Sequence, residues 1–222
     1  MKKTKLVMIG NGMAGVRTLE ELLKIAPDLY DITVFGSEPH PNYNRILLSP
    51  VLAGEQSLDE IILNPWDWYT DNHITLHAGW TVTQVDRVRR VVHAQNAAGE
   101  TLRAEYDRLL MATGSNPFIL PVPGKDLQGV LAYRDIADTQ AMIEAAAQYK
   151  HAVVIGGGLL GLEAANGLMK RGMTVSVVHV APWLMERQLD DVAGKMLQQS
   201  LQDRGMQFLI GAQTQELVGS ED

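Results

Sequence analysis

An α/β architecture is predicted by three features of this sequence. Short apolar runs alternate with stretches of helical periodicity at both ends of the chain. One run in each half ends in a glycine-rich turn, Gly10-Asn11-Gly12-Met13-Ala14-Gly15 and Gly156-Gly157-Gly158-Leu159-Leu160-Gly161. Between them, Trp80 to Glu105 carries period-two alternation. The sum is two Rossmann-like βαβ domains with a small antiparallel meander.

The elements follow in order. Lys5–Ile9 is an apolar run ending at a glycine and reads as a buried strand. Val16, Leu19, Leu22 and Leu23 recur at helical spacing from Gly15 to Ile25, and Pro27 stops that helix. Ile32–Phe35 is a second strand. Pro39 to Pro50, with three prolines, reads as a polar loop. Leu58–Tyr69 and Ile74–Leu76 have weaker patterns. Trp80–Val85, Arg90–Ala94 and Arg103–Glu105, with a turn at Ala98–Gly99, form the meander. Arg108–Ala112 is a strand that runs into Thr113-Gly114, and Pro117, Pro121 and Pro123 mark a linker. Asp138 is expected to cap a helix through Tyr149. Ala152–Ile155, Gly161–Arg171, Thr174–His179, Asp190–Arg204 and Gln207–Ile210 then read strand, helix, strand, helix, strand. The domain cut falls within 115–125, giving 1–118 and 119–222.

Composition narrows the function classes. The 222 residues are 46% apolar with a net charge of −7, which fits a soluble globular protein and disfavours a nucleic-acid partner. With no cysteine, the chain has no disulfide, redox dithiol or thiolate-held cluster of its own. A cytoplasmic location is expected. The start, MKKTKLVMIGNGMAG, has too short an apolar run for a secretion signal, and Arg17, Glu20 and Glu21 follow at once. Ala152–Met169 is apolar, but Glu163, Asn166 and the glycines argue for a buried strand and helix, so no membrane segment is expected.

The glycine turns carry the chemistry. In G-x-G-x-x-G the first glycine permits the tight turn, the second lets a pyrophosphate approach the backbone, and the third lets helix pack on strand. The diphosphate then meets the free N–H groups and positive end of the helix. One such motif is weak evidence; two, each inside a βαβ unit, point to two dinucleotides. Gly10, Gly12, Met13, Ala14 and Gly15 are the candidates at the first turn, and Gly156, Gly158, Leu159, Leu160 and Gly161 at the second. An acid is expected about 20 residues on, for the ribose hydroxyls. Glu38 is the nearest in the first half, its alternative being a solvated loop acid. His179 occupies that place in the second, where it can serve a ribose or, when protonated, a 2′-phosphate; NADH against NADPH is left open.

The two fingerprints, the Ala112-Thr113-Gly114 turn and the PVPG at 121–124 resemble the flavin-dependent pyridine-nucleotide oxidoreductases. NGMAGVRTLEELL, YNRILLSPVLAGE and NPWDWY more narrowly resemble the N-terminal region of the large subunit of bacterial NAD(P)H-dependent nitrite reductases. The resemblance implies FAD on the first unit, NADH or NADPH on the second, and hydride passing from nicotinamide to flavin. It implies that Ala112, Thr113 and Gly114 close over the flavin, and adds Val82 of the meander to the cofactor contacts. Sirohaem and an iron–sulfur cluster would lie only in the full-length subunit, whose C-terminal domains, with room for a small subunit, are the implied partners. The chain is accordingly read as the front part of a longer protein. Alternatives are part of a ferredoxin- or rubredoxin-type NADH reductase, or a nucleotide-binding redox sensor without turnover.

Departures from that pattern matter. Many relatives carry a lysine after the Leu-Ser of the flavin loop, paired with a glutamate matching Glu163. Here Leu48-Ser49 is followed by Pro50, so the partner of Glu163 is either missing or different, with Arg45 the candidate. Arg45 itself is a candidate for the FAD diphosphate or for holding its loop. Thr113 is a cofactor hydrogen-bonder or a strand-end cap. His73 and His77, in a strand-like HITLH, are too far apart to share a metal. Trp66 and Trp68 read as packing beneath a loop. No residue is assigned as a catalytic acid, base or nucleophile, because the hydride chemistry belongs to the cofactors.

Overall fold

The computed structural model describes residues 3–219. The first two residues of the signal-like start and the last three of the chain lie outside them.

In chain order the elements are β1 (Thr4–Ile9), α1 (Met13–Ile25), β2 (Tyr30–Gly36), β3 (Asn42–Tyr43), a 3-10 turn (Arg45–Leu47), α2 (Leu48–Ala53), a second 3-10 turn (Asp59–Ile61), β4 (Ile62–Asn64), α3 (Trp66–Asp71), β5 (Ile74–Ala78), β6 (Trp80–Asp86), β7 (Val91–Asn96), β8 (Thr101–Glu105) and β9 (Arg108–Met111). There follow α4 (Ile136–Gln148), β10 (His151–Ile155), α5 (Leu159–Lys170), β11 (Thr174–His179), α6 (Asp191–Gln202) and β12 (Gln207–Ile210).

The chain divides into two compact units. The first runs up to Arg45 and resumes over Ile61–Ser115; the second takes Ile46–Glu60 and everything from Asn116. A single cut between 118 and 119 does not describe this division, because residues 46–60 leave the first unit and return to it.

In the first unit a parallel sheet of order β5-β2-β1-β9 is covered on both faces. Leu6 and Met8 of β1 join Val16 and Leu19 of α1, Ile32 and Val34 of β2, and Tyr69 of α3. Val7 and Ile9 point the other way and join Phe35, Val92 and Ala94 under the meander β6-β7-β8. Burial on both faces is why β1 reads as an unbroken apolar run.

The second unit carries a parallel sheet of order β10-β11-β12. Its core gathers Leu162, Ala165 and Leu168 of α5 with Val175, Val177, Leu184 and Met206. Leu52 of α2 belongs to this core: its side chain lies where a Cβ on Gly167 would be, 2.7 Å from Cγ. Arg171 fixes α2 further by donating to the carbonyls of Val51 (3.1 Å) and Leu52 (2.8 Å).

The structure corrects several sequence expectations. The polar loop of 39–50 is partly ordered: Asn42 and Tyr43 are buried in β3, and Pro50 sits in the first turn of α2, where a missing N–H costs nothing. The helix after the linker is capped by Asp135, not Asp138; Asp138 is the far half of a capping box. Both glycine-turn helices begin two residues earlier than helix propensity suggested, at Met13 and Leu159. His73 precedes its strand with φ 54°, while His77 is in β5 and stacks on Phe35. Trp66 is half exposed, whereas Trp68 packs on the core edge-on to Tyr69.

Candidate functional site

The first glycine turn is shaped by Ala112. Gly10 has φ 106°, and a Cβ there would lie 2.1 Å from the Ala112 carbonyl oxygen. A Cβ on Gly15 would meet the Ala112 methyl at 2.9 Å and Met8 Sδ at 3.0 Å. The strand end carrying Ala112 and Thr113 therefore abuts the turn, as the sequence motifs require. Gly12 is different: it N-caps α1 with no side-chain hydrogen bond, and its Cβ position has nothing within 4 Å. Met13 and Ala14 open the helix above it. A helix mouth with open backbone N–H groups fits a diphosphate.

Buried polar groups hold this turn. Tyr69 Oη donates to Asn11 Oδ1 (2.8 Å) and accepts from the Asn42 N–H (3.2 Å). Asn42 Nδ2 donates to Asn64 Oδ1 (2.7 Å), and Asn64 donates on to Glu20 (2.9 Å). Asn11, an "x" of the motif, and Tyr69 were not singled out from sequence; only the tertiary fold joins them. Burial raises the Tyr69 pKa above the ordinary value, with the hydrogen bonds from Asn42 and to Asn11 opposing it.

Glu38 is not a loose loop acid. It accepts from Tyr43 Oη (2.7 Å) and Arg45 (2.5 Å), and the Arg45 guanidinium lies 5.0 Å from the Tyr43 ring centroid. Val82 is half-buried beside a β-bulge and packs on the core under the meander. Gly114 turns with φ 70°, and the Thr113 hydroxyl has no hydrogen-bond partner among the described residues, so it is not a strand cap.

The second turn repeats the plan with other packing. Gly156 has φ 118°, and a Cβ on Gly161 would lie 2.0 Å from the Gly156 carbonyl oxygen. Gly158 N-caps α5 with no side-chain cap, and nothing lies within 4 Å of its Cβ position. Leu159 and Leu160 are half exposed beside it. Gly157, not singled out from sequence, is required: a Cβ there would meet Leu184 Cδ2 at 2.6 Å and His179 Cγ at 2.9 Å.

His179 does not stand free for a ribose or a 2′-phosphate. It is buried, and its Nδ1 accepts the Gly157 N–H at 3.0 Å. A backbone N–H can only donate, so the ring proton is on Nε2. That proton faces both the Trp183 carbonyl (3.0 Å) and Glu186 Oε2 (3.1 Å). Glu163 also has its own partner. Ser49 Oγ donates to Glu163 Oε2 (2.7 Å) and accepts from Tyr133 Oη (3.0 Å); the sequence expectation of Arg45 gives way to Ser49, the residue just before the missing lysine. Among the described residues no group of side chains could hold a metal, and no helix is long and apolar enough to cross a membrane.

Comparisons with known proteins show the family. A "Nitrite reductase [NAD(P)H]" of Bacillus subtilis is 56% identical over all of this chain, and an "Assimilatory nitrate reductase electron transfer subunit" of the same organism is 50% identical over 99% of it. The chain spans about a quarter of their length, 27% and 28%. The solved structure of a water-forming NADH oxidase from Lactobacillus brevis, bound to NADH, superposes with a TM-score of 0.90 at 22% identity, over 99% of this chain and 49% of that one; at that identity it speaks to the fold alone. The model of the pyridine nucleotide-disulphide oxidoreductases matches residues 4–222, and the chain belongs to that family.

Proposed function

We propose that this chain is the electron-entry module of an NAD(P)H-dependent flavoprotein that serves nitrite reduction. The carrying observation is the pair of helix mouths at Gly12 and Gly158, each uncapped and each open where a Cβ would stand. Gly10–Gly15, Ala112, Thr113 and Gly114 would hold FAD, with Glu38, Arg45 and Val82 near its adenosine end. Gly156–Gly161 would hold the nicotinamide nucleotide, with Glu163 further along α5. When bound, the flavin supplies hydride acceptance from nicotinamide and release of electrons one at a time. The chain's own part is to bind both diphosphates on backbone N–H groups and hold the turns rigid through Ala112, Tyr69 and His179.

The names of two relatives, a nitrite reductase and a nitrate reductase electron transfer subunit, support a destination in nitrite reduction. Electrons would pass to nitrite-reducing sirohaem and iron–sulfur centres in the remaining length of such proteins, in the cytoplasm, where NADH is made. The test is to purify the protein, record its visible flavin band, and add NADH without oxygen. Bleaching of the band supports the reading. Flavin that NADH leaves oxidised would reduce the chain to a nucleotide-binding sensor.

A further inference from the structure

We propose that Glu186 sets the dinucleotide specificity of the second unit: its carboxylate takes the adenosine ribose hydroxyls of NAD(H) and turns away the 2′-phosphate of NADP(H). This rests on reading Gly156–Gly161 as a nicotinamide-dinucleotide site.

In a βαβ dinucleotide unit a carboxylate at the end of the second strand accepts from the ribose hydroxyl. Here that place belongs to His179, whose nitrogens are both engaged within the protein. The ring acts as a spacer. Nδ1 is held by the Gly157 N–H, and Nε2–H carries the Glu186 carboxylate on its far side, seven residues along the chain. A second tether closes the loop: the Met185 N–H donates to the Gly157 carbonyl at 3.0 Å. The Gly157 carbonyl thus binds the segment that presents Glu186, and the Gly157 N–H binds the imidazole that holds the Glu186 carboxylate.

That segment is built to hold its shape. Leu184 is fully buried, and Met185 adopts φ 53°, a left-handed conformation that a non-glycine residue keeps only when its surroundings impose it. The Met185 carbonyl accepts from the N–H groups of Gln188 (2.8 Å) and Leu189 (2.9 Å), and Trp183 Nε1 donates to the Leu189 carbonyl (3.0 Å). The Glu186 side chain is 34% exposed. Its Oε2 is spent on His179, and Oε1 has no hydrogen-bond partner among the described residues. A carboxylate so placed accepts hydroxyls and repels a phosphate dianion. The competing group is Arg187, the exposed next residue, whose guanidinium would favour a 2′-phosphate.

The test is calorimetric titration of the purified protein, and of its Glu186→Gln and Glu186→Arg variants, with NAD+ and with NADP+. Glutamine keeps an acceptor for the His179 N–H and removes the charge. We expect the native protein to prefer NAD+, the preference to fall about ten- to hundredfold in Glu186→Gln, and to invert in Glu186→Arg. Unchanged circular dichroism would show that the loop still folds. An unaltered NAD+/NADP+ ratio in Glu186→Gln, or a native preference for NADP+, would overturn the assignment. Failure of the native protein to bind either nucleotide would instead remove the dinucleotide reading of this unit, and the assignment with it.

Discussion

Two glycines three residues apart, Gly158 and Gly161, should respond to alanine in opposite ways. A methyl at Gly161 would sit 2.0 Å from the Gly156 carbonyl oxygen and 3.5 Å from Val154 Cγ1. That carbonyl is backbone in a turn already bent to φ 118°, so helix and strand must part. Overpacking of this kind costs about 3 kcal/mol, which in a chain of this size lowers Tm by roughly 6–12 °C. A methyl at Gly158 meets nothing within 4 Å, and its backbone, φ −83° and ψ 179°, suits any residue. Two small effects oppose each other there. Reduced freedom of the unfolded chain contributes about 0.4–1 kcal/mol, and loss of a tolerated N-cap residue costs about 0.5–1 kcal/mol.

Gly158→Ala should therefore melt within a few degrees of the native protein and yet bind the nicotinamide nucleotide poorly. Its methyl fills the space through which the diphosphate reaches the helix N–H groups. Losing one charge-assisted hydrogen bond costs about 1.5–3 kcal/mol, or roughly ten- to hundredfold in Kd. The assay is a thermal melt followed by circular dichroism, run beside a titration with NAD+ for both variants. A Gly158→Ala protein that binds normally would sink the diphosphate argument. One that loses as much stability as Gly161→Ala would show that the turn is packed rather than open.

Three further outcomes are expected. Tyr69→Phe removes the hydroxyl that joins Asn11 to the Asn42 N–H and leaves that buried donor unpaired; the urea midpoint should fall by an amount equal to about 1–3 kcal/mol. In the native protein the raised Tyr69 pKa means that this residue's contribution is intact below pH 10.0, the ordinary tyrosine value, and is lost as pH climbs through the folded-state value; Tyr69→Phe should flatten the alkaline limb of the stability curve. Burial against Phe35 lowers the His77 pKa, so its contribution is present above 6.5, the ordinary histidine value, and is lost as pH falls through the folded-state value; a His77 imidazole proton that titrates below the ordinary histidine value in the NMR spectrum checks this, and His77→Gln should weaken the acid dependence. Ser49→Ala takes the shared hydroxyl from Glu163 and Tyr133 and should cost about 1 kcal/mol by chemical denaturation, with α2 still held by Arg171.

Much of the fold was written in local pattern. Strands β1 and β2 are buried on both faces, so their apolar runs announced themselves without tertiary knowledge. The meander has one covered face, and its alternation was equally plain. The glycine turns were legible because the chemistry of a tight turn before a helix admits few residues. The 39–50 stretch was misread for a physical reason: proline is a breaker in general, but harmless in a first helical turn, and only the tertiary packing of Leu52 against Gly167 favours a helix over Leu48–Ala53. Likewise Asp135 and Asp138 are both good caps by type, and only hydrogen-bond geometry separates N-cap from N3.

The site divides along the same line. Candidates that would act through their own backbone, Gly10, Gly12, Gly156 and Gly158, could be found from spacing, because backbone geometry is local. Residues that act through a distant partner could not. Nothing in the order of letters says that Tyr69 reaches Asn11 or that Ser49 reaches Glu163, since loop closure brings them together. His179 is the sharpest case. Its position in the strand promised a ribose contact, but a ring nitrogen that accepts a backbone N–H cannot also be a free donor. The one clue was the middle glycine of Gly156-Gly157-Gly158. A dinucleotide turn needs glycine on either side of that residue but not at it, so a third glycine there signalled that something bulky from elsewhere in the fold, here the imidazole, had to lie against the backbone.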